Sequence, residues 1–274
     1  MSTDLEVLRK HGRTFYLASF LLPVEARADA ARLYHFCRVV DDLADEDEDF
    51  DAIADIRAQL QGDQPPQGLA AAMLELNARR GLSVEALLHL IDGVVSDQGS
   101  VALQTDAELL RYCYRVAGTV GLAMCAVLGV EDPRAHAHAI DLGIAMQLTN
   151  ICRDVLEDQQ RDRRYIPASR PEVKPAVAAL LTLADQYYAS AVAGLPYIPW
   201  RARGAIAVAM QVYRQIGVRL LRQGGDPMQG RTIVPLWEKL AVGAWALVRL
   251  PFARKTEHHN SLHGALVGLP GCAP

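Results

Sequence analysis

The chain has 274 residues and a mass of 29.9 kDa, 51% of it apolar and 22% charged, so it holds enough core material for a large domain and is neither disordered nor fibrous. Aromatics make up only 6%, and alanine, leucine and valine dominate the apolar set, which favours helices over a β-sandwich. The formal charge of −4 argues against a nucleic-acid binder, but it is uneven: residues 41–55 hold nine acids and no base, leaving 23 acids against 28 bases elsewhere.

Helical periodicity runs through nearly the whole chain, and strand-like alternation is absent. Pro23 opens a helix through EARADAARLYHFCRVVDDLADE, and QGDQPPQG at residues 61–68 is a loop. Ser83 caps SVEALLHLIDGVVSD without the acid of a full capping box. A long helix is expected over Asp106–Gly129; its uncharged run of fifteen residues, Val116–Val130, is shorter than the roughly 20 that span a bilayer. Asp132 and Pro133 start the next helix as cap and first residue, and it reaches about Asp158. The loops PASRPEVKP, GLPYIP and RQGGDPMQG separate helices at 171–194, 200–222 and 232–250. LAVGAWALVRLPF reads as core helix, although it has the composition to touch a membrane surface. After Pro251 the periodicity is lost, so residues 251–274 read as an irregular, frayed tail that includes His258, His259 and His263. The expectation is one all-α domain of eight to ten helices over residues 1–250. Five cysteines with no CxxC pair, and a charged start, indicate a reducing, cytoplasmic location for a chain that at most rests on a membrane surface.

Two carboxylate stripes carry the chemistry. Tyr34, Arg38, Asp41 and Asp45 are spaced four, three and four, so they share one helical face, with Asp42 beside them. Gln147, Asn150, Asp154 and Asp158 repeat the device at three, four and four. Asp pairs at i,i+4 repel, and Asp is a poor helix former, so two such stripes need compensation that hard divalent cations supply. Mg²⁺ held this way keeps waters and takes further oxygens from substrate phosphates. Arg38, Arg153, Arg161, Arg163 and Arg164 stand by the acids with forks that suit phosphate. Ala117, Gly118 and Gly121 mark a close approach, by a neighbouring helix or by an apolar chain of the substrate.

The segments HGRTFYLAS, LYHFCRVVDDLAD, RYCYRVAGTVGL, DLGIAMQLTNICRDVLEDQQRDRRYIP and QVYRQIGVRLLRQGG together resemble the squalene/phytoene synthases, most of all the bacterial phytoene synthases, over residues 7–245. The resemblance implies an all-α isoprenoid synthase fold whose helices surround a cavity, with Mg²⁺ (Mn²⁺ as a substitute) and two prenyl diphosphates held between the acid motifs. By similarity, Asp41, Asp42 and Asp45 with Asn150, Asp154 and Asp158 are the metal ligands. Arg38, Gln147, Arg153, Arg163 and Tyr165 match diphosphate positions, and His11 and Thr14 match the flap beside them. Tyr34, Tyr112 and Tyr213 match cavity residues, and Arg231 a late basic position. Asp41, Asp45, Asp154, Asp158, Tyr112 and Tyr213 are the expected catalytic set. Gly12 stands where many relatives carry Ser, and Leu156 where Gly is common, departures that bear on chain length more than on metal. The implied reaction is head-to-head condensation of two geranylgeranyl diphosphates to phytoene. The alternatives are the same condensation of farnesyl diphosphate, giving dehydrosqualene, presqualene diphosphate or squalene, a terpene cyclase or head-to-tail transferase, and a non-catalytic scaffold.

Overall fold

Why α3 forms is plain from its buried side: over Val24–Asp45, Leu33, Phe36, Val40 and Ala44 recur at three and four residues and are fully buried, leaving Tyr34, Arg38, Asp41 and Asp45 half-exposed on the flank. The computed structural model describes residues 3–45 and 48–272; Glu46 and Asp47, in the middle of the acidic run, lie outside the described residues. The remaining helices are α1 (Thr3–His11), α2 (Arg13–Ser19), α4 (Phe50–Gln61), α5 (Gly68–Arg80), α6 (Val84–Val95), α7 (Asp106–Cys113), α8 (Thr119–Val127), α9 (Ala135–Gln160), α10 (Val173–Gly194), α11 (Trp200–Arg222) and α12 (Leu236–Arg249). Twelve helices among the described residues exceed the expected eight to ten, because two short helices stand at the amino terminus and the expected helix 106–129 is divided in two.

Two apolar cores result. α3 to α6 pack around Phe36, Met73, Leu76 and Ile91, while α9, α10 and α11 pack around Ile144, Leu148, Tyr187 and Met210. α3 belongs to the first and α9 to the second, and α8 bridges them. Ser83 caps α6 as expected, its hydroxyl accepting from the Ala86 amide at 3.1 Å. Asp132 instead accepts from the Arg134 amide within a turn, so α9 begins at Ala135, two residues later than the Asp-Pro signal suggested.

The expected helix 106–129 is interrupted by a π turn at Tyr114–Gly118. The small residues beside it serve helix contact. A Cβ on Gly121 would lie 2.0 Å from the Ala139 carbonyl oxygen, and one on Gly143 2.1 Å from that of Ala117. The backbones of α8 and α9 therefore touch, and the close approach is made by a neighbouring helix rather than by a substrate chain.

Three further expectations are corrected. Although strand-like alternation is absent, Val101–Ala102 and Arg163–Arg164 form a two-residue parallel ladder, too short to leave a period in the sequence. The segment after Pro251 does not fray. Two of its three imidazoles, His258 and His263, donate to the carboxylate of Asp141 at 2.9 and 2.8 Å, and Tyr187 and Tyr114 donate to the carbonyls of Leu262 and Pro270 at 2.8 and 2.6 Å. Asp141 is fully buried, and a buried carboxylate demands such donors; neither they nor the short 3₁₀ turns that carry them have a helical period. Lastly, LAVGAWALVRLPF is not core: only Gly243 and Ala246 of that run are buried, and Trp245, Leu247, Val248 and Phe252 are exposed.

Candidate active site

The carboxyl ends of α3 and α9 converge. Asp45, on the last turn of α3, receives Arg163 Nη1 at 2.7 Å and Arg161 Nη1 at 2.8 Å, both from the chain leaving α9. The two acid stripes thus share arginines, and Gln147, Asn150, Asp154 and Asp158 are half-buried like their counterparts on α3. Half-burial sets these faces apart from a core face, which would exclude such groups, and from an open outer face.

Every arginine singled out from the sequence, Arg164 apart, lies against an acid of the stripes. Arg38 binds both Asp41, at 3.2 Å, and Asp42. Arg153 forks onto Asp154, which Arg231 Nε also approaches, at 3.3 Å. Arg231 also reaches Glu157, at 3.4 Å. These pairs do not fully offset burial and the repulsion between acids. Burial and then the charge of Asp45 push the Asp41 carboxyl up to about 6, and burial with Asp154 pushes Asp158 up to about 7. The side-chain oxygen of Asn150 is buried without a hydrogen-bond partner, although its amide donates to Gln147 at 3.3 Å. An all-oxygen donor set with one orphaned carbonyl and two strained carboxyls fits a hard divalent cation.

Arg163 and Tyr165 follow α9 on the segment that forms the two-residue ladder. The ladder pins them, with the Val101 amide donating to Asp162 at 3.2 Å and the Leu103 amide to Arg164 at 3.1 Å. Tyr165 stacks on Tyr112, ring centroids 4.7 Å apart, and Tyr112 donates to Asp97 at 2.7 Å. Asp97 was not singled out from the sequence, since it falls in a loop after α6 with no partner at helical spacing. It is buried, which raises its carboxyl to about 6 against the pull of its tyrosine hydrogen bonds, and it feels the charges of Arg163 and Asp45.

The amino-terminal flap reaches the site through the neighbours of its expected residues. Phe15, next to Thr14, stacks on Tyr213 at 5.2 Å and tilts against Tyr34 at 6.3 Å. A Cβ on Gly12 would meet the Tyr34 ring and Leu8 at 3.0 Å, so a larger residue there would push on the Tyr34 ring. His11 itself is exposed at the end of α1, and Thr14 is half-buried.

A shell of helices with two facing acid stripes and interleaved arginines defines a class of all-helical enzymes that transfer prenyl groups from diphosphates. The family profile of squalene/phytoene synthases matches residues 8–238, and the chain belongs to that family. A phytoene synthase from Thermus thermophilus is 39% identical, with 90% of this chain and 93% of that protein aligned. A 15-cis-phytoene synthase from Paracoccus sp. is 33% identical over 90% of this chain and 91% of its own. Among solved structures, a dehydrosqualene synthase bound to a ligand superposes with a TM-score of 0.83 at 26% identity, covering 91% of this chain and 95% of that one. The isoprenoid synthase fold and the prenyltransferase class stand on these likenesses.

Proposed function

We propose that the chain joins two geranylgeranyl diphosphates head to head to give phytoene, by way of the cyclopropyl intermediate prephytoene diphosphate. The observation that carries the reading is the meeting of the two acid stripes through Arg161 and Arg163 on Asp45, in a chain 39% identical to a phytoene synthase. In the first half-reaction one allylic diphosphate leaves, the second substrate's double bond attacks the cation, and loss of a proton closes the ring. In the second, the remaining diphosphate leaves, the ring rearranges, and loss of another proton gives phytoene.

Asp41, Asp42 and Asp45 with Asn150, Asp154 and Asp158 are the groups that would hold Mg²⁺ or Mn²⁺. When bound, the metal supplies positive charge that neutralises the diphosphate. Arg38, Arg153, Arg163 and Arg231 exchange their carboxylate partners for phosphate oxygens and hold the departing pyrophosphate, joined by Gln147, Tyr165, His11 and Thr14 at the rim. Tyr112 and Tyr213 serve as catalytic ring faces. Phenols are neutral near neutral pH, and burial raises both of these further, so they offer uncharged π faces to the cation. Tyr34 and the flap over it close the cavity against water.

Purified protein incubated with geranylgeranyl diphosphate and Mg²⁺ should give a C40 hydrocarbon on lipid extraction. A C30 product formed readily from farnesyl diphosphate, with no phytoene, would assign the chain to the alternative favoured by its likeness to a dehydrosqualene synthase. The reading includes a cytoplasmic location against the inner membrane face, supported by five free cysteines and by lipid substrates; no helix is long and apolar enough to cross a membrane among the described residues.

A further inference from the structure

α12 wears its amphipathicity inside out. Its inward side is small or polar apart from Leu247: Gly243 sits on Val208, Ala246 is buried, and Glu238 accepts from Arg219 at 2.8 Å and Gln215 at 2.6 Å. Its outward side reads Leu236, Trp237, Leu240, Ala241, Ala244, Trp245 and Val248, one continuous face with no charge on it, and all of it exposed.

This face is part of a larger patch. α12 runs antiparallel to α11, since Leu247 meets Gly204 and Glu238 meets Arg219. Leu21, after α2, converges on the same Gly204, which brings exposed Phe20, Leu21 and Val24 alongside. Trp200, at the start of α11, and Phe252, just past α12, extend the patch at that end. All three tryptophans of the chain belong to it, 75%, 69% and 57% exposed at positions 200, 237 and 245. Exposed apolar patches of this extent mark an interaction surface.

The rim says with what. Arginines lie over ring faces at its edge: Arg27 is 4.0 Å from the Phe20 centroid, Arg201 5.3 Å from Trp200, and Arg249 5.5 Å from Trp245. Arg13 and Lys239 stand close enough to repel one another. Among the described residues none of these five cations is paired with a carboxylate. A second copy of the chain laid on this face would bring one cationic rim onto another. Anionic headgroups match them, with tryptophans at the level where amphipathic rings settle in a bilayer interface.

We propose that α12, with residues 20–24, Trp200 and Phe252, is a docking surface for an anionic phospholipid bilayer, on which the protein lies without spanning. The surface stands independently of which prenyl chain the active site takes.

Flotation of the full chain with vesicles of phosphatidylglycerol and phosphatidylcholine, and with phosphatidylcholine alone, tests this without any turnover. Binding to the mixed vesicles, weakened by salt and accompanied by a blue shift of tryptophan emission, is the expected result. L240E/W245E should partition at least about ten-fold less, since each burial in lipid is worth well over one decade, while its helical content is kept. A wild-type chain that stays off mixed vesicles, or a folded double variant that binds as well, would overturn the proposal. So would a wild-type dimer in light scattering that the double variant reduces to monomers, because the face would then belong to a second copy. Quenching of the native tryptophans by brominated acyl chains covers the case of a variant that does not fold: quenching supports the surface, and bound protein with unquenched tryptophans refutes it.

Discussion

Arg163 Nη1 lies 2.7 Å from Asp45 Oδ1, so the segment that follows the second acid motif is tied directly to the last carboxylate of the first. Two helices from different cores are thereby linked end to end, and the arginine places its charge beside the acids of both stripes. The pair is only partly screened, its side chains being 13% and 19% exposed.

Arg163→Lys tests that link. Lysine keeps the charge and loses the planar fork, so it is not a conservative change at a phosphate site. With negative charge on the leaving group growing toward the transition state, the variant should lower kcat by about ten-fold or more while KM changes little. Steady-state kinetics with geranylgeranyl diphosphate decides it: a raised KM at constant kcat would make Arg163 a capture residue only.

Asp41→Ala and Asp154→Ala should each abolish turnover and leave the helices intact. Asp41 is raised to about 6 by burial and by Asp45, so its removal relieves repulsion in the metal-free chain and should not lower Tm. Circular dichroism beside product assays separates this from a merely structural role, in which helical content and activity would fall together.

A pH dependence follows from the same carboxyls. Asp41 and Asp158 bind protons more tightly folded, at about 6 and 7, than at the ordinary 3.8 of an unfolded chain. Between about pH 4 and 7 the native state therefore holds more protons than the unfolded state, and its stability falls as pH rises. Mg²⁺ competes with those protons. It should raise Tm more at pH 8 than at pH 5, which thermal melts with and without the metal would show.

Asp141→Asn should cost roughly 3 kcal/mol by turning an amide N–H toward one of the two imidazole donors. The tail clamp has its own window. Burial opposes charge on both groups, but the mutual hydrogen bonds outweigh it, holding Asp141 below and His258 above their ordinary values. The Asp141 contribution is present above 3.8 and lost as pH falls through its lowered value. That of His258 is complete below about 6.5 and lost as pH rises through its raised one. Hydrogen exchange at residues 258–266 should accelerate at both extremes in the native chain and at all pH values in the variant.

Gly143→Ala should destabilise by about 3 kcal/mol or more, because its Cβ would fall 2.1 Å from the Ala117 carbonyl oxygen and backbone must move to admit it. Denaturant unfolding measures the loss, and the shift of α9 should reach the acid stripe one turn further on.

Helical spacing alone placed Tyr34, Arg38, Asp41 and Asp45 on one face and Gln147, Asn150, Asp154 and Asp158 on another, because a period of 3.6 residues is a local property of the chain. The all-α class and the boundaries of α11 were legible for the same reason. What the chain could not disclose locally are contacts made across it. Asp97 joins Tyr112 and Tyr165 only through the loop after α6, and a two-residue ladder pins Arg163 without leaving any period. Likewise Asp141 draws His258 and His263 out of a segment that reads as tail. The outward apolar face of α12 was misread as core, since amphipathicity says that a helix has two sides and only packing decides which of them meets water.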